Sequence, residues 1–497
     1  MQEYPTLAAV DLGSNSFHLQ VGRVEGEQLF YLDAIKESVR LASGLTENKR
    51  LDGASQRRAL NCLSRFGERL RGMPPGAVRA VGTSALRVAK NSPAFLEKAR
   101  ETLGFDIEIV AGREEARLIY LGVSHSLPLT QSPRLVVDIG GGSTECIIGV
   151  GYEPRERESL RMGCVVYSKQ FFPEGRVDKV AAKAAETAAR IEIRHVTAGQ
   201  FQAGAWTEAV GSSGTAKALG DICRANGFSD GAITLEGLKW LRERLVKAGD
   251  ANRLDVAGLK ADRRPVVAGG LAIMLALFQE LGIDTMTAAQ GAMREGILWD
   301  LLGRVHDHDM RDVTVNQFQR RYHVDTRQAR RVERLAVELF ATLAERYRGD
   351  EAEAMHRLVW AARLHEVGIS IAHSGQHKHG AYILENADMP GFSRRDQALL
   401  AGLVRASRGG LDKLLLGRDD PNWPLILCLR LAVLFHASRG DTALPGLGLV
   451  CEGGACRLRL PADWLKANPL TRVVLEEELA DWARVAPSVG LAAVETA

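Results

Sequence analysis

The sequence predicts an α/β protein of two related lobes, continued by an all-helical domain and a small α+β tail. Three observations carry this expectation. A unit of apolar strand, aspartate, glycine turn and returning strand occurs twice, around Asp11 and around Asp138. Strand-like and helix-like stretches alternate as far as residue 305. From His306 onward the glycine clusters thin out and helical periodicity takes over. At 497 residues the chain exceeds what one hydrophobic core organises, and the composition shifts place domains at 1–119, 120–305, 306–440 and 441–497.

Taken in order, Leu7 to Val10 reads as a buried strand, Gly13-Ser14-Asn15 as a turn and Phe17 to Val24 as the returning strand of a hairpin. SQRRALNCLSRFGERL has helical spacing, RAVGTSALR and FDIEIVAG read as strands, and EEARLIYLGV opens a helix. Leu135 to Val137, then Asp138, the turn Gly140-Gly141-Gly142 and the strand Cys146 to Val150 repeat the first hairpin. Two copies suit a bilobal structure rather than a solenoid, which would show several. VDKVAAKAAETAARIEIRHV is a long amphipathic helix, and AVGSSGTAKALG returns to strand and glycine turn. VVAGGLAIMLALF repeats that signal, although its apolar run from Val266 to Phe278 is too short to cross a bilayer and reads by preference as a buried helix. TRQARRVERLAVELFATLAERY, HRLVWAARLHEVGISIAH and PLILCLRLAVLFHASRG are helical, LGLVCEGGACRLRLPADWL alternates like a hairpin, and LTRVVLEEELADWARVA ends the chain as a helix.

Lys and Arg total 64 against 61 Asp and Glu, a formal charge of +3, so nothing draws the whole molecule toward nucleic acid or a membrane. Any anion site must be local. Seven cysteines without a CxxC pair argue against a disulfide framework or a zinc ribbon and suit a reducing cytosol. The start MQEYPTLAAVDLG lacks the basic and apolar regions of a secretion signal. A cytoplasmic protein is expected, at most peripheral to a membrane.

A glycine-rich turn directly after a strand aims backbone N–H groups into a concave site with no Cβ in the way, which makes a phosphate cradle. Here two such turns each follow an aspartate and carry hydroxyls, Ser14 and Ser16 in one, Ser143 and Thr144 in the other. Neither has the Lys of a P-loop, and both lead into strands rather than the helix of a dinucleotide fingerprint. AAVDLGSNS, VDIGGGSTE and VVAGGLAIM resemble the two phosphate loops and a later glycine-rich segment of the acetate kinase, sugar kinase, Hsp70 and actin superfamily, over roughly residues 6–305. That likeness implies two ribonuclease H-like lobes of the actin/Hsp70 type. Within it VGTSALR, EEARLIYLGV, RMGCV and QGAMREGIL, joined to LHEVGISIAHSGQHKHGAYIL, are similar to the long form of the exopolyphosphatase and guanosine pentaphosphate phosphohydrolase family, across nearly the whole chain.

The resemblance implies a homodimeric hydrolase that removes the terminal phosphoryl group of inorganic polyphosphate with Mg²⁺, a monovalent cation such as K⁺ being compatible. Guanosine pentaphosphate is the alternative substrate. Gly13, Ser14 and Asn15 of the first loop and Gly140, Gly141, Gly142, Ser143 and Thr144 of the second would hold phosphate, with Arg87 as a bidentate ligand between them. Asp138 and Glu145 match the family's metal-associated carboxylates, a donor set suited to Mg²⁺, which takes one or two acids and keeps several waters. The family's base lies in the EEARL motif. Glu114 and Glu115 are helix neighbours projecting about 100° apart, so only one faces a cleft, and the motif selects Glu115. The plainer readings are a turn-capping Asp138, an outward Glu145, two acids complementing the helix dipole and a solvated Arg87.

In the helical region His365-Glu366 resembles the His-Asp pair of HD-type phosphohydrolases, but a glutamate stands where an aspartate is needed and no further ligand set follows, so a second metal centre is not expected. His373, His377, Lys378, His379, Arg405 and Arg408 instead suggest a path for a long polyanion, against the alternative of helix-packing histidines and solvated charges. A kinase on the same scaffold would need an acceptor pocket, and no recognisable one is present. A nucleotide-driven binding module would leave a glutamate beside the phosphates without a task.

Overall fold

In the computed structural model the strand β1 (Thr6–Leu12) runs through the interior, with Leu7, Ala8, Ala9 and Val10 fully buried, as its apolar run demands. The structure describes residues 4–26, 28–197, 199–305, 309–344, 347, 349–411, 421–441, 444, 447–452, 455–485 and 492–496. They fall into two compact units, Met1–Met310 and Arg311–Ala497.

In the first unit β1, β2 (Phe17–Glu25) and β3 (Gln28–Glu37) form an antiparallel meander. After α1 (Gly53–Leu70), β4 (Val78–Gly82) joins β1 in parallel; α2 (Ser84–Val88) and α3 (Ser92–Leu103) lead to β5 (Ile107–Ile109), parallel to β4, and α4 (Gly112–His125) leaves the lobe. The order is β3-β2-β1-β4-β5. The second lobe repeats the plan. Here β6 (Arg134–Ile139), β7 (Thr144–Val150) and β8 (Glu153–Leu160) make the meander, and α5 (Cys164–Phe171) and α6 (Lys179–Thr197) follow. Then β9 (Glu208–Ser212) joins β6 in parallel, followed by α7 (Ser213–Ala225), β10 (Ile233–Thr234), α8 (Leu235–Ala248), α9 (Arg264–Leu281), β11 (Thr285–Ala288) and α10 (Met293–Val305). This sheet has the order β10-β11-β9-β6-β7-β8. Two lobes of the ribonuclease H-like plan are therefore present, each with a hairpin that presents its aspartate and glycine turn at the same edge.

Three local expectations are corrected. RAVGTSALR is strand only to Gly82, after which Ser84 starts α2. AVGSSGTAKALG turns from β9 into helix α7 through Ser213, held at φ 72°, rather than into a glycine turn. VVAGGLAIMLALF is helix throughout, which agrees with the buried helix preferred for its apolar run and rules out the strand and glycine turn. Its glycines serve packing: a Cβ on Gly269 would lie 2.5 Å from the Cys164 carbonyl oxygen of α5. With the turn before it, this stretch reaches Ala261–Leu281 and is long and apolar enough to cross a membrane by length and composition, contrary to the sequence reading, but it is mostly buried inside the lobe.

In the second unit α11 (Met310–Arg321), α12 (Thr326–Ala341), α13 (Glu351–Leu364), α14 (Gln376–Asn386), α15 (Arg394–Ala406) and α16 (Trp423–Phe435) enclose Trp360, Phe340 and Leu427. Asp325 caps α12 by accepting from the Arg327 and Gln328 amides at 3.0 and 3.1 Å, and Ser393 with Asp396 forms a capping box on α15. The expected hairpin is β12 (Gly448–Glu452) and β13 (Ala455–Pro461), followed by α17 (Ala462–Ala467) and α18 (Pro469–Val485). A third strand, β14 (Ala492–Thr496), pairs in parallel with β13, which the sequence reading missed. Leu449, Leu458 and Trp482 of this part share one core with the helices. Cys62, Cys146, Cys164, Cys223 and Cys428 are free and buried, whereas Cys456 is disulfide-bonded, a departure from the expected all-reduced set.

Candidate active site

Asp11 stands at the end of β1 opposite His18, and Asp138 near the end of β6 opposite Glu145, so the repeated hairpins deliver two acid-bearing strand ends. The two glycine turns meet there. A Cβ on Gly141 would lie 3.1 Å from the Ser14 Cβ and 3.2 Å from the Asn15 amide nitrogen, and one on Gly142 would lie 2.8 Å from the Ser84 Oγ. Only glycine permits that approach. The second turn is closed by the Gly140 amide donating to the Ser143 carbonyl at 2.9 Å and anchored by the Cys164 amide donating to Gly140 at 2.9 Å. The Ala85 amide donates to Ser14 Oγ at 3.2 Å and ties the first turn to α2.

Between the turns lies a cavity of ≈ 170 Å³ into which four carboxylates face: Asp11, Glu115, Asp138 and Glu145. Burial pushes the Asp11 carboxyl up to about 8, Glu115 and Asp138 adding to the rise and Arg294 opposing it. Burial likewise raises Asp138 to about 6, with Ser212 opposing the shift and Glu115 adding to it. Glu145 is raised well above the carboxylate range by burial, then by Glu115 and Asp138; it accepts a hydrogen bond from Ser159 at 2.8 Å. Glu115 is raised by burial, while the Arg87 guanidinium pulls the other way. The Asp11 Oδ1 is shielded from solvent and has no hydrogen-bond partner. So many acids in one dry cavity repel each other unless a cation or protons neutralise them.

Cations share the wall. Lys36, Lys217, Arg263 and Arg294 line the same cavity. Burial pushes the His18 imidazole down to about 3, with Arg294, Lys36, Arg263 and Lys217 adding to the shift, so it stands neutral. Burial also lowers the Lys36 and Lys217 ammonium groups. These four cations and Asp11 were absent from the expected site. Asp11 was signalled by its equivalence to Asp138 in the repeat, and Arg294 lies in QGAMREGIL; Lys217 and Arg263 carry no sequence signal that sets them apart from surface charges.

Of the expected residues, Gly13, Ser14, Asn15, Gly140, Gly141, Gly142, Ser143, Glu115, Asp138 and Glu145 all line the cavity. Two do not. Thr144 is fully buried and donates to the Met162 carbonyl at 2.6 Å, because its side chain points to the other side of β7 from Glu145. Arg87 points at Glu115 rather than the cavity: its Nη1 donates to the Val110 carbonyl at 2.8 Å and to Glu115 Oε2 at 3.0 Å. Glu114 is buried too, but away from the cavity and paired with Arg117 at 2.8 Å.

In the second unit Lys378, Arg405, Arg408 and His373 are exposed, and His377 and His379 are half-buried. Burial lowers the His377 imidazole, with Lys378, Arg408, Arg405 and Arg430 adding to the shift, so these cations stand near it. His365 Nδ1 lies 2.7 Å from the Ala362 carbonyl oxygen, and Glu366 pairs with Arg439.

Residues 21–305 match the model of the Ppx/GppA phosphatase family, and residues 310–479 match Ppx/GppA phosphatase, domain III. An exopolyphosphatase-like protein of known structure superposes with a TM-score of 0.56 at 23% identity, over 61% of this chain and 100% of that one. An exopolyphosphatase from Cytophaga hutchinsonii gives a TM-score of 0.54 at 24% identity, over 60% of this chain and 98% of that one. Both likenesses show the fold.

Proposed function

Because the chain belongs to the Ppx/GppA phosphatase family, we propose that it is an exopolyphosphatase, hydrolysing the terminal phosphoanhydride of inorganic polyphosphate to release orthophosphate. The observation that carries this reading is the position of Glu115, a carboxylate aimed into the same cavity as both glycine turns.

Phosphoryl transfer asks for charge neutralisation, an in-line nucleophile and little covalent chemistry from the protein. Amides and hydroxyls of the two turns, with Ser14 and Ser143 among them, would grip the terminal phosphate. Glu115 accepts a proton from water as the water oxygen bonds to phosphorus, and the bridging P–O bond breaks toward the remaining chain. Burial makes Glu115 a stronger base than an exposed carboxylate, and Arg87 opposes that rise. Arg263, Arg294 and Lys217 offset the charge that builds on the leaving oxygen.

Asp138 and Glu145 would hold Mg²⁺. The partnerless Asp11 oxygen and the mutual repulsion of four acids fit a cation in the cavity. Among the described residues no three His, Cys, Asp or Glu side chains form a closed metal site, which suits an ion that takes one or two acids and completes its shell with water and phosphate oxygens. Such an ion supplies charge neutralisation at the phosphate oxygens.

Polyphosphate is favoured over guanosine pentaphosphate because glycine, hydroxyl and charged groups predominate in the described cavity wall, beside Ile119, Ile139, Cys164, Ala292 and Met293, with no Phe, Tyr or Trp on which a base would stack. The cations Lys378, Arg405 and Arg408 would bind phosphates further along the same polymer. Phosphate release from long polyphosphate and from guanosine pentaphosphate, compared side by side with Mg²⁺, tests this reading. Faster cleavage of polyphosphate is expected; faster cleavage of the nucleotide would assign the other member of the family.

A further inference from the structure

Behind the cavity lies a buried group of charges with no part in the chemistry just described. Arg79 on β4, Arg117 on α4 and Arg304 on α10 all donate to the one carboxylate of Asp300 on α10, Arg79 at 2.5 Å and Arg304 at 3.2 Å. Arg117 also grips both oxygens of Glu114 at 2.8 Å, and Arg79 holds Glu108 on β5 at 3.1 and 3.2 Å. Asp300 is 7% exposed, Arg79 2%, Arg117 3% and Glu114 4%. Burial alone would raise the Asp300 carboxyl, but Arg117, Arg79 and Arg304 hold it well below the carboxylate range, so it is an anion at any working pH.

The two helices that Asp300 joins are the ones that carry Glu115 and Arg294. They cross with their backbones touching: a Cβ on Gly122 of α4 would lie 2.7 Å from the Gly296 amide nitrogen of α10. Such a glycine contact fixes how near the helices come, and the core packing of Leu118, Ile119 and Tyr120 seats the middle of α4, but the aim of its first turn depends on the side chains that hold Glu114 and Glu115. Glu114 and Glu115 are successive residues in its first turn, so a roll that releases Glu114 carries Glu115 out of line. Of the two, Glu114 is the one tied down through Arg117 to Asp300, while Glu115 is held on its own side by Arg87.

We propose that Asp300 is a positioning residue for the hydrolysis: through Arg117 and Glu114 it fixes the roll of α4, and thereby the aim of Glu115 at the attacking water. This rests on the reading of Glu115 as the base. It also explains why two adjacent acids open this helix, one for chemistry and one for alignment.

A double-mutant cycle on the full-length chain tests it, with kcat and KM for polyphosphate and a melting temperature for each variant. Asp300→Asn is expected to lower kcat by about 10- to 100-fold with KM unchanged, the range for a misaimed group. In the Glu115→Gln background the same change should lower kcat no further, although both backgrounds lose thermal stability alike. Equal losses of kcat in both backgrounds would overturn the proposal and leave Glu115 as the base. An undiminished kcat in Glu115→Gln alone would instead remove the base, and the proposal with it. If Asp300→Asn does not fold, Arg117→Lys takes its place in the cycle, since it keeps the charge but not the two-point grip on Glu114.

Discussion

Arg87 Nη1 lies 3.0 Å from Glu115 Oε2 and 2.8 Å from the Val110 carbonyl oxygen, so a backbone-anchored guanidinium holds the carboxylate proposed as the base. The arginine expected to bind phosphate has a different partner, and that partner changes what its removal does.

Arg87 opposes the burial that raises the Glu115 carboxyl. Removing it in Arg87→Met lets that carboxyl rise further, and less of it is ionised at neutral pH. The acid limb of the kcat/KM profile should therefore move to higher pH, whereas loss of a phosphate ligand alone would raise KM without moving the limb. A pH–rate profile of the variant against wild type distinguishes them.

The crowded acids make a second prediction, on stability. Asp11 and Asp138 titrate from 3.8 when unperturbed up to about 8 and about 6 in the fold. A carboxyl raised by folding favours the folded state while protonated and loses that contribution as pH climbs from the unfolded value to the folded one. The metal-free, substrate-free protein should thus lose stability between about pH 4 and pH 8 at these groups, and Mg²⁺ should raise the melting temperature more at pH 8 than at pH 5. Asp138→Asn and Glu145→Gln should shrink that Mg²⁺ gain and raise the Mg²⁺ needed for half-maximal activity. Thermal scans at the two pH values check it; superimposable Mg²⁺ responses in both variants and wild type would dismiss the metal assignment.

The triple change Lys378→Ala, Arg405→Ala, Arg408→Ala removes exposed charge from the second unit without touching the cavity. A polymer held at these sites is tethered to the enzyme between cleavages, so its release after each one should become more frequent when they go. Early product ladders on long polyphosphate should change from intact chains plus free phosphate to a smear of intermediates. Raising salt on the wild type should do the same, because exposed charges are screened beyond about 8 Å at physiological ionic strength. An unchanged ladder would return these residues to solvation and packing.

Much of the cleft was legible because each lobe starts with a hairpin whose acid, glycine turn and hydroxyls are contiguous in the chain. Glu145 came from the resemblance alone; alternation along β7 turns it toward the cavity and Thr144, its neighbour, away, a distinction the resemblance does not draw. The Gly269-Gly270 pair misled because glycine after valine marks either a turn or a close helix contact, and only the presence of α5 beside it decides between them. Lys217 and Arg263 were invisible for a different reason: each reaches the cavity from an element that returns to it by tertiary folding, and a lone cation carries no local pattern. Arg87 was picked out for phosphate, and sequence spacing does not show that the Val110 carbonyl and Glu115 lie within its reach.

The measurement that tests the account most directly is single-turnover phosphate release by Glu115→Gln under saturating polyphosphate and Mg²⁺, with binding followed separately. Glutamine keeps the shape and the contact with Arg87 but accepts no proton from water. The account predicts unchanged polyphosphate affinity and a rate lower by roughly 10² to 10⁴, the span of general-base catalysis. A rate within a factor of about two of wild type, well inside the smallest loss expected for a general base, would contradict it and move the activation of water to another group in the cavity.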